Sequence, residues 1–332
     1  MKATNAVEVI DLTRYYGSLP AVDCVSFRVR RGEMFGFLGP NGAGKTTTIR
    51  MLTTLLEPTS GTIRIDGLDV AGHPVEVRTH LGVVPEASNV YTELSATENL
   101  HFSGQLYRMD RARRRRRASE LLDRFGLASR AHVKVAELSK GMRRRLTVAM
   151  ALMHEPTLLF LDEPISGLDV ESARALKEMV RELNERGATI FLTTHQIEVA
   201  NELCQRVAII HKGRIATVGT PETLKSSIDS VQAVEVVFAG ERVGDISLAG
   251  LSHVTGEVVT GNRFRLFTDS PGEVIPQVVD FARRSRLRLG SLNTLGPSLE
   301  DVFVRITGGE LGKGSDAARG SADPEGKRRR QA

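Results

Sequence analysis

Three short apolar runs, residues 34–38, 158–161 and 189–192, lack the polar alternation that a half-solvated sheet would impose. They read as parallel strands buried on both faces. Between such runs the apolar period lengthens to that of helices. After Asp169, the residues Leu176, Met179, Val180 and Leu183 share one helical face, and Gly187 is placed to end that helix. Residues 207–210 and 214–218 flank Lys212-Gly213, the signal of a hairpin turn. Strand and helix patterns alternate from Val7 to about Ser227 without an internal repeat, which predicts an α/β core. Within it the stretch of about 97–155 turns wholly helical and predicts a helical subdomain inserted into the sheet core.

Beyond Ser227 the pattern changes. Residues 234–238 read as a strand, 256–267 as a hairpin turning at Thr260-Gly261-Asn262-Arg263, 274–284 as a helix, 287–292 as a strand and 298–306 as a closing helix. The expectation is a small α+β domain, with a ferredoxin-like arrangement as the candidate topology. From Gly308 the chain is Gly, Ser, Ala and charge, ending in Lys327-Arg328-Arg329-Arg330, and has too little apolar content to fold. The predicted organisation is therefore 1–228, 229–307 and a disordered basic tail over 308–332.

With 332 residues the chain can build about two domains. A net charge of +5 suits an anionic membrane surface or a nucleic acid but requires neither. Its two cysteines, Cys24 and Cys204, have no metal-ligand spacing and form no disulfide framework, as expected in a reducing compartment. No apolar core follows a basic start at the N-terminus, and no segment approaches ~20 consecutive apolar residues. A chain that neither enters a secretory route nor spans a bilayer by itself is expected. The second helix of the inserted segment carries Arg111 and the run from Arg113 to Arg117. Ala118, Leu121, Leu122 and Phe125 then form an apolar stripe, and no aromatics interleave the arginines for base stacking. A solvated helix face is the better reading, and no nucleic acid is expected as a partner.

The chemistry concentrates where buried strands end. Gly39-Pro40-Asn41-Gly42-Ala43-Gly44-Lys45-Thr46 fits G-x-x-x-x-G-K-[ST], follows one apolar run and leads into a helix at Thr47. Glycines let backbone N–H groups surround phosphate oxygens, Lys45 reaches the outer phosphates, and the Thr46 hydroxyl suits a magnesium ion bridged by them. Asp162 and Glu163 close the second run, where Asp162 is placed to hold Mg²⁺ and Glu163 to deprotonate an attacking water. His195 ends the third run at the same edge, within reach of a γ-phosphate; a lone histidine is otherwise more often structural. Leu138-Ser139-Lys140-Gly141-Met142 opens a further helix, with Ser139 as its N-cap and a glycine beside it, an arrangement suited to an anion.

Together these residues resemble the ATP-binding cassette (ABC) ATPases over about Val7 to Ser227, in family order. The phosphate loop Gly39 to Thr46, with Thr47 after it, is similar to Walker A. Residues 158–163 are similar to Walker B with its catalytic glutamate, and 138–142 to the signature LSGGQ. Ser166-Gly167-Leu168-Asp169 resembles the D-loop, His195 the switch histidine and Tyr16 the aromatic that stacks on adenine. The segment Pro297-Ser298-Leu299-Glu300-Asp301-Val302-Phe303 resembles the C-terminal extension of drug-resistance and related exporter ATPases, whose membrane subunits are often separate chains.

The resemblance implies a P-loop NTPase fold, ATP and Mg²⁺ as cofactors, and ATP hydrolysis. It also implies a head-to-tail dimer of the chain with itself and a permease partner at the cytoplasmic face of the cell membrane. In such a dimer Ser139, Gly141 and Asp169 face the nucleotide held by the other copy. Two positions of the signature depart from the family, Lys140 for glycine and Met142 for glutamine. At the Q-loop, Val83-Val84-Pro85-Glu86 puts Glu86 where glutamine is usual, so a catalytic and metal-proximal carboxylate is expected there. An exporter subunit is the leading reading. A soluble ABC ATPase of translation or DNA maintenance is the alternative, although this chain has one cassette and no sustained heptads. A P-loop kinase would need neither the signature helix nor the D-loop.

Overall fold

The structure, a computed structural model, describes residues 5–226, 232–240, 246–296 and 298–307. The expected tail at 308–332 lies outside the described residues. In chain order, β1 (Asn5–Tyr16) and β2 (Leu19–Arg30) form a hairpin, and β3 (Met34–Leu38) runs into α1 (Lys45–Leu52). Next come β4 (Ser60–Ile65), β5 (Leu68–Asp69), α2 (Pro74–His80) and β6 (Leu81–Val84). The inserted helices are α3 (Ala96–Leu106), α4 (Arg111–Arg124) and α5 (Lys140–Ala151). The chain then returns through β7 (Leu158–Asp162), α6 (Val170–Glu185), β8 (Thr189–Thr194), α7 (Ile197–Leu203), β9 (Arg206–His211), β10 (Arg214–Gly219) and α8 (Pro221–Ser226).

Two sheets share this part of the chain. One is antiparallel in the order β2-β1-β4-β5, and the other runs β10-β9-β3-β8-β7-β6, parallel except at β10. Every residue of β3, β7 and β8 is buried, because one face meets the antiparallel sheet and the other meets helices. Between the sheets, Phe27, Phe35, Phe37, Phe160 and Phe191 pack ring against ring, with Phe191 5.4 to 5.8 Å from each of the others. Beneath β3 the approach is closer still: a Cβ on Gly36 would lie 2.7 Å from the sulfur of buried Cys204. The resulting α/β architecture matches the sequence reading, and it directs the carboxyl ends of β3, β8 and β7 to one edge.

The inserted helices begin where their caps dictate. Ser95 and Glu98 form a reciprocal capping box at α3, and the Asp110 carboxylate accepts from the Arg113 N–H at α4. On α4, Ala118, Leu121 and Leu122 are buried, while Arg113 and Arg117 pair with Glu155 and Glu120 on the solvent side. Most of the arginine run is thus a solvated face.

His154 follows α5, stacks face to face on Tyr107 and places Nε2 2.9 Å from the Leu81 carbonyl, so that Nε2–H donates to it. Burial pushes this imidazole down from 6.5 to about 4. Below pH 6.5 the unfolded chain takes up the proton and the fold does not. This contribution is complete above about 6.5 and is lost as the pH falls towards 4. After allowance for partial exposure the loss is of order 2 kcal/mol. His154→Phe keeps the stack and removes the proton, so its stability should fall less between pH 6.5 and 4 than that of wild type. Parallel urea-denaturation curves across that window would contradict this.

The C-terminal segment contains β11 (Gln232–Ala239), β12 (Val254–Thr260), β13 (Arg263–Thr268), α9 (Pro271–Arg284), β14 (Arg288–Leu295) and α10 (Leu299–Thr307). Its antiparallel sheet has the order β12-β13-β11-β14, with α9 packed against β11 and β14 through Val274, Val278 and Ala282. This strand order and its antiparallel pairing are those of a ferredoxin-like sheet, with α9 as the crossing between β13 and β14; among the described residues no helix stands between β11 and β12. The closing helix does not complete this sheet. Leu299, Val302 and Phe303 of α10 enter the apolar core that holds Leu203, Cys204, Val207, Ile209 and Leu224. There α10 packs on α7, α8 and β9. Ser298 and Asp301 cap it reciprocally, and Arg265 of β13 reaches Glu300 and Asp301 at 3.7 and 3.5 Å. The C-terminal sheet is thereby strapped to the N-terminal α/β unit.

Candidate active site

The turn between β3 and α1 is the phosphate loop expected from the sequence. Gly44 precedes the helix with φ 105°, and a Cβ there would sit 2.5 Å from the Ala21 carbonyl oxygen. At Gly39 a Cβ would sit 2.4 Å from the Ile210 carbonyl oxygen. Larger residues would displace the loop from the strands that support it. Pro40 accepts from the Ala43 N–H and helps close the turn, Asn41 and Gly42 lie on its exposed rim, and Thr46 and Thr47 open α1 with Thr46 facing solvent. Lys45 is buried and folds back over the loop, donating to the Gly39 and Pro40 carbonyls at 2.8 and 3.1 Å.

Strand order brings the next groups alongside. Asp162 ends β7, is 4 % exposed, and accepts from the Thr193 hydroxyl of β8 at 2.5 Å. Glu163 follows with φ 45°, a left-handed conformation that costs a side-chain-bearing residue roughly 1–2 kcal/mol. Its N–H donates to the Thr193 carbonyl and hydroxyl, both at 3.2 Å. The strained peptide turns the carboxylate towards the loop. One oxygen lies 2.9 Å from His195 Nδ1 and the other forms an ion pair with Lys45 at 3.2 Å, out of line for a hydrogen bond. Lys45, Asp162, Glu163 and His195 therefore meet at the carboxyl edge of β3, β7 and β8.

Ser139 caps α5 by accepting from the Met142 N–H at 3.2 Å, and Asp169 caps α6 by accepting from the Ser172 N–H at 2.8 Å. The Ser172 N–H also holds the Asp169 carboxyl below its usual range. The two helix starts touch, since a Cβ on Gly141 would lie 2.2 Å from the Ser172 hydroxyl. Lys140 reaches across to Gly167, where a Cβ would lie 2.5 Å from its ammonium. Ser139, Gly141 and Asp169 thus form a second group with no hydrogen bond or ion pair to the Lys45 cluster among the described residues. Tyr16 ends β1, is about half exposed, and carries the Arg14 guanidinium 5.2 Å from its ring centre.

Glu86 makes no side-chain hydrogen bond or ion pair with the Asp162 cluster among the described residues. Its main-chain carbonyl accepts from Arg144 at 3.2 Å, and its side chain is exposed on a cavity of about 580 Å³ lined also by Lys140, Arg143 and Ser166. No group of three or more His, Cys, Asp and Glu among the described residues is arranged to hold a metal ion. Two groups escaped the sequence reading. Thr193 was visible only as a polar residue inside an apolar run. Arg144 sits in Arg143-Arg144-Arg145, where apolar Val148 and Ala151, one and two turns on, are the sequence sign that this helix face is buried.

The comparisons with known proteins bear on the family and the fold. The sequence model of the ABC transporter family matches residues 22–166. A linearmycin resistance ATP-binding protein of Bacillus subtilis (strain 168) is 34 % identical over 91 % of this chain and 98 % of its own length. A daunorubicin/doxorubicin resistance ATP-binding protein of Streptomyces peucetius is 38 % identical over 92 % of this chain and 93 % of its own. Among solved structures, a dimeric ATP-binding cassette in a post-hydrolysis state with ADP and phosphate is 28 % identical at a TM-score of 0.59, covering 64 % of this chain and 98 % of that one. No helix among the described residues is long and apolar enough to cross a membrane. The chain belongs to the ABC transporter family, as an ATP-binding and ATP-hydrolysing subunit.

Proposed function

We propose that the chain powers export through a separate permease by closing and reopening a head-to-tail dimer around two ATP molecules at the cytoplasmic face of the membrane. The observation that carries this is the convergence of Lys45, Glu163 and His195 on one strand edge, with the Ser139 group left free to face a second copy. Lys45 would exchange its loop carbonyls for the outer phosphates, while Tyr16 would stack on adenine through the face that Arg14 leaves open. The Thr46 hydroxyl and Asp162 carboxylate offer hard oxygen donors that suit Mg²⁺, which when bound offsets phosphate charge. Glu163 takes a proton as water attacks the γ-phosphorus, and the bond to the bridging oxygen breaks to leave ADP and phosphate. His195 orients Glu163 and donates towards the γ-phosphate.

A docking place for the permease lies beside the inserted helices. A cavity of about 310 Å³ is lined by Asn89, Tyr91, Phe102, Leu106 and Tyr107. Tyr91 and Leu106 are 49 % and 67 % exposed, and Tyr91 rests edge-on against Phe102. Val90 and Leu94, which the sequence offers as further anchors, are half-buried, and Val90 packs on the core instead. Exposed aromatics of this kind dominate interfaces. The relatives' resistance names support export, and they favour a transporter subunit over a soluble ATPase of translation or DNA maintenance. In membranes washed with high salt, retention of the chain should require the co-expressed permease, fall strongly with Tyr91→Ala, and survive neutralisation of the exposed α4 arginines. Retention that ignores the permease and Tyr91 but is lost with the arginines would overturn the docking model.

A further inference from the structure

Arg144 is only 4 % exposed, yet among the described residues no carboxylate forms an ion pair with it, and the Asp162 and Glu86 carboxylates act on it only from farther away. All of its hydrogen bonds go to main-chain carbonyls. Nε donates to Pro164 at 2.8 Å, Nη2 to Asp162 at 2.9 Å and Glu163 at 3.2 Å, and Nη1 to Pro85 and, at 3.2 Å, to Glu86. Five acceptors meet the five N–H groups of one planar guanidinium, a match that a lysine ammonium with three donors cannot make. The carbonyls belong to two separate segments. Asp162, Glu163 and Pro164 surround the left-handed turn that aims the Glu163 carboxylate, whereas Pro85 and Glu86 begin the loop leading to Tyr91. Arg144 itself rides on α5, one turn beyond the Ser139 cap.

We infer that Arg144 is a positioning residue for hydrolysis: it fixes the peptide planes on both sides of Glu163 and ties that orientation to the loop at Pro85 and to the signature helix. The inference rests on Glu163 being the general base. On its N-terminal side the Glu163 peptide is held by Thr193; on the carbonyl side the Ser166 N–H closes a local turn at 3.2 Å, and Arg144 is the side chain that holds this carbonyl and the Asp162 and Pro164 carbonyls together against relaxation of the left-handed φ. Released, the turn would rotate the carboxylate away from the line between Lys45 and His195. Misplacement of a catalytic group by about 1 Å costs on the order of 10²-fold in rate. Phosphate binding should survive, because Arg144 touches neither Lys45 nor the glycine loop.

The test uses the full chain with Arg144→Lys and Arg144→Gln, each alone and combined with Glu163→Gln. Steady-state ATPase rates are read beside Mg-ATP affinity, measured with a fluorescent ATP analogue. Arg144→Gln should lower kcat about 100-fold with KM within about threefold, and Arg144→Lys should fall between it and wild type. In the Glu163→Gln background either change should cost less than about twofold, since a group acting through Glu163 has nothing left to act on. A merely structural role would instead multiply the two losses, and that result would overturn the inference. Wild-type kcat in Arg144→Gln would do the same. Should Arg144→Gln fail to fold, the charge-retaining lysine series decides. Full turnover in Glu163→Gln alone would remove the general base itself, and the inference with it, whatever the Arg144 variants do.

Discussion

Glu163→Gln should slow ATP turnover roughly 10²–10⁴-fold while leaving Mg-ATP binding nearly intact. The amide keeps the shape and a hydrogen bond for His195, but it cannot accept the proton of the attacking water. Lys45 loses its ion partner and remains held by the Gly39 and Pro40 carbonyls, so the loop stays formed. Under the proposed cycle, an enzyme that binds and cannot hydrolyse should collect as an ATP-bound dimer. Size-exclusion chromatography with ATP and Mg²⁺ reads the dimer and a coupled phosphate assay reads turnover. Near-wild-type turnover would show that another group takes the proton.

The second large effect is on stability. Phe303 is fully buried by a core it reaches only by leaving its own sheet, so Phe303→Ala should destabilise the fold by about 3–5 kcal/mol. Cutting the Arg265 contacts with Arg265→Ala should cost far less, because long, partly solvated ion pairs contribute little. Chemical denaturation followed by ATP binding separates the two. If Phe303→Ala leaves the midpoint unmoved, α10 does not dock on the α/β unit in solution. The C-terminal segment would then stabilise or regulate the ATPase by some other contact.

The phosphate loop, the acidic end of β7 and the histidine after β8 were legible because each needs a fixed residue at a fixed distance from a buried strand. The parallel strands were legible for the same reason: burial on both faces leaves no polar position to confuse the period. What could not be read was the partner of an amphipathic face. The stripe Leu299, Val302 and Phe303 announces a buried helix but is silent on which core receives it, and chain proximity suggested the wrong one. Arg144 was hidden for the opposite reason. Flanked by arginines, it looks solvated, and only the fold shows that five carbonyls converge on it. Glu86 was placed by its Q-loop neighbours alone, which say nothing of where its carboxylate points; the Arg144 bond to its carbonyl leaves the side chain facing the cavity.

The close contact of Cys204 with Gly36 also supplies a chemical clock. Burial pushes the Cys204 thiol up to about 12, so it is inert to alkylating reagents while its surroundings stay closed. The other thiol, Cys24, is exposed and can be changed to serine, leaving a single slow reporter. Alkylation of that thiol then counts the openings of the core shared by β3, α7 and α10. Because α7 begins two residues after His195, the same count measures how often the ground under the catalytic edge gives way, in a protein that carries its own probe.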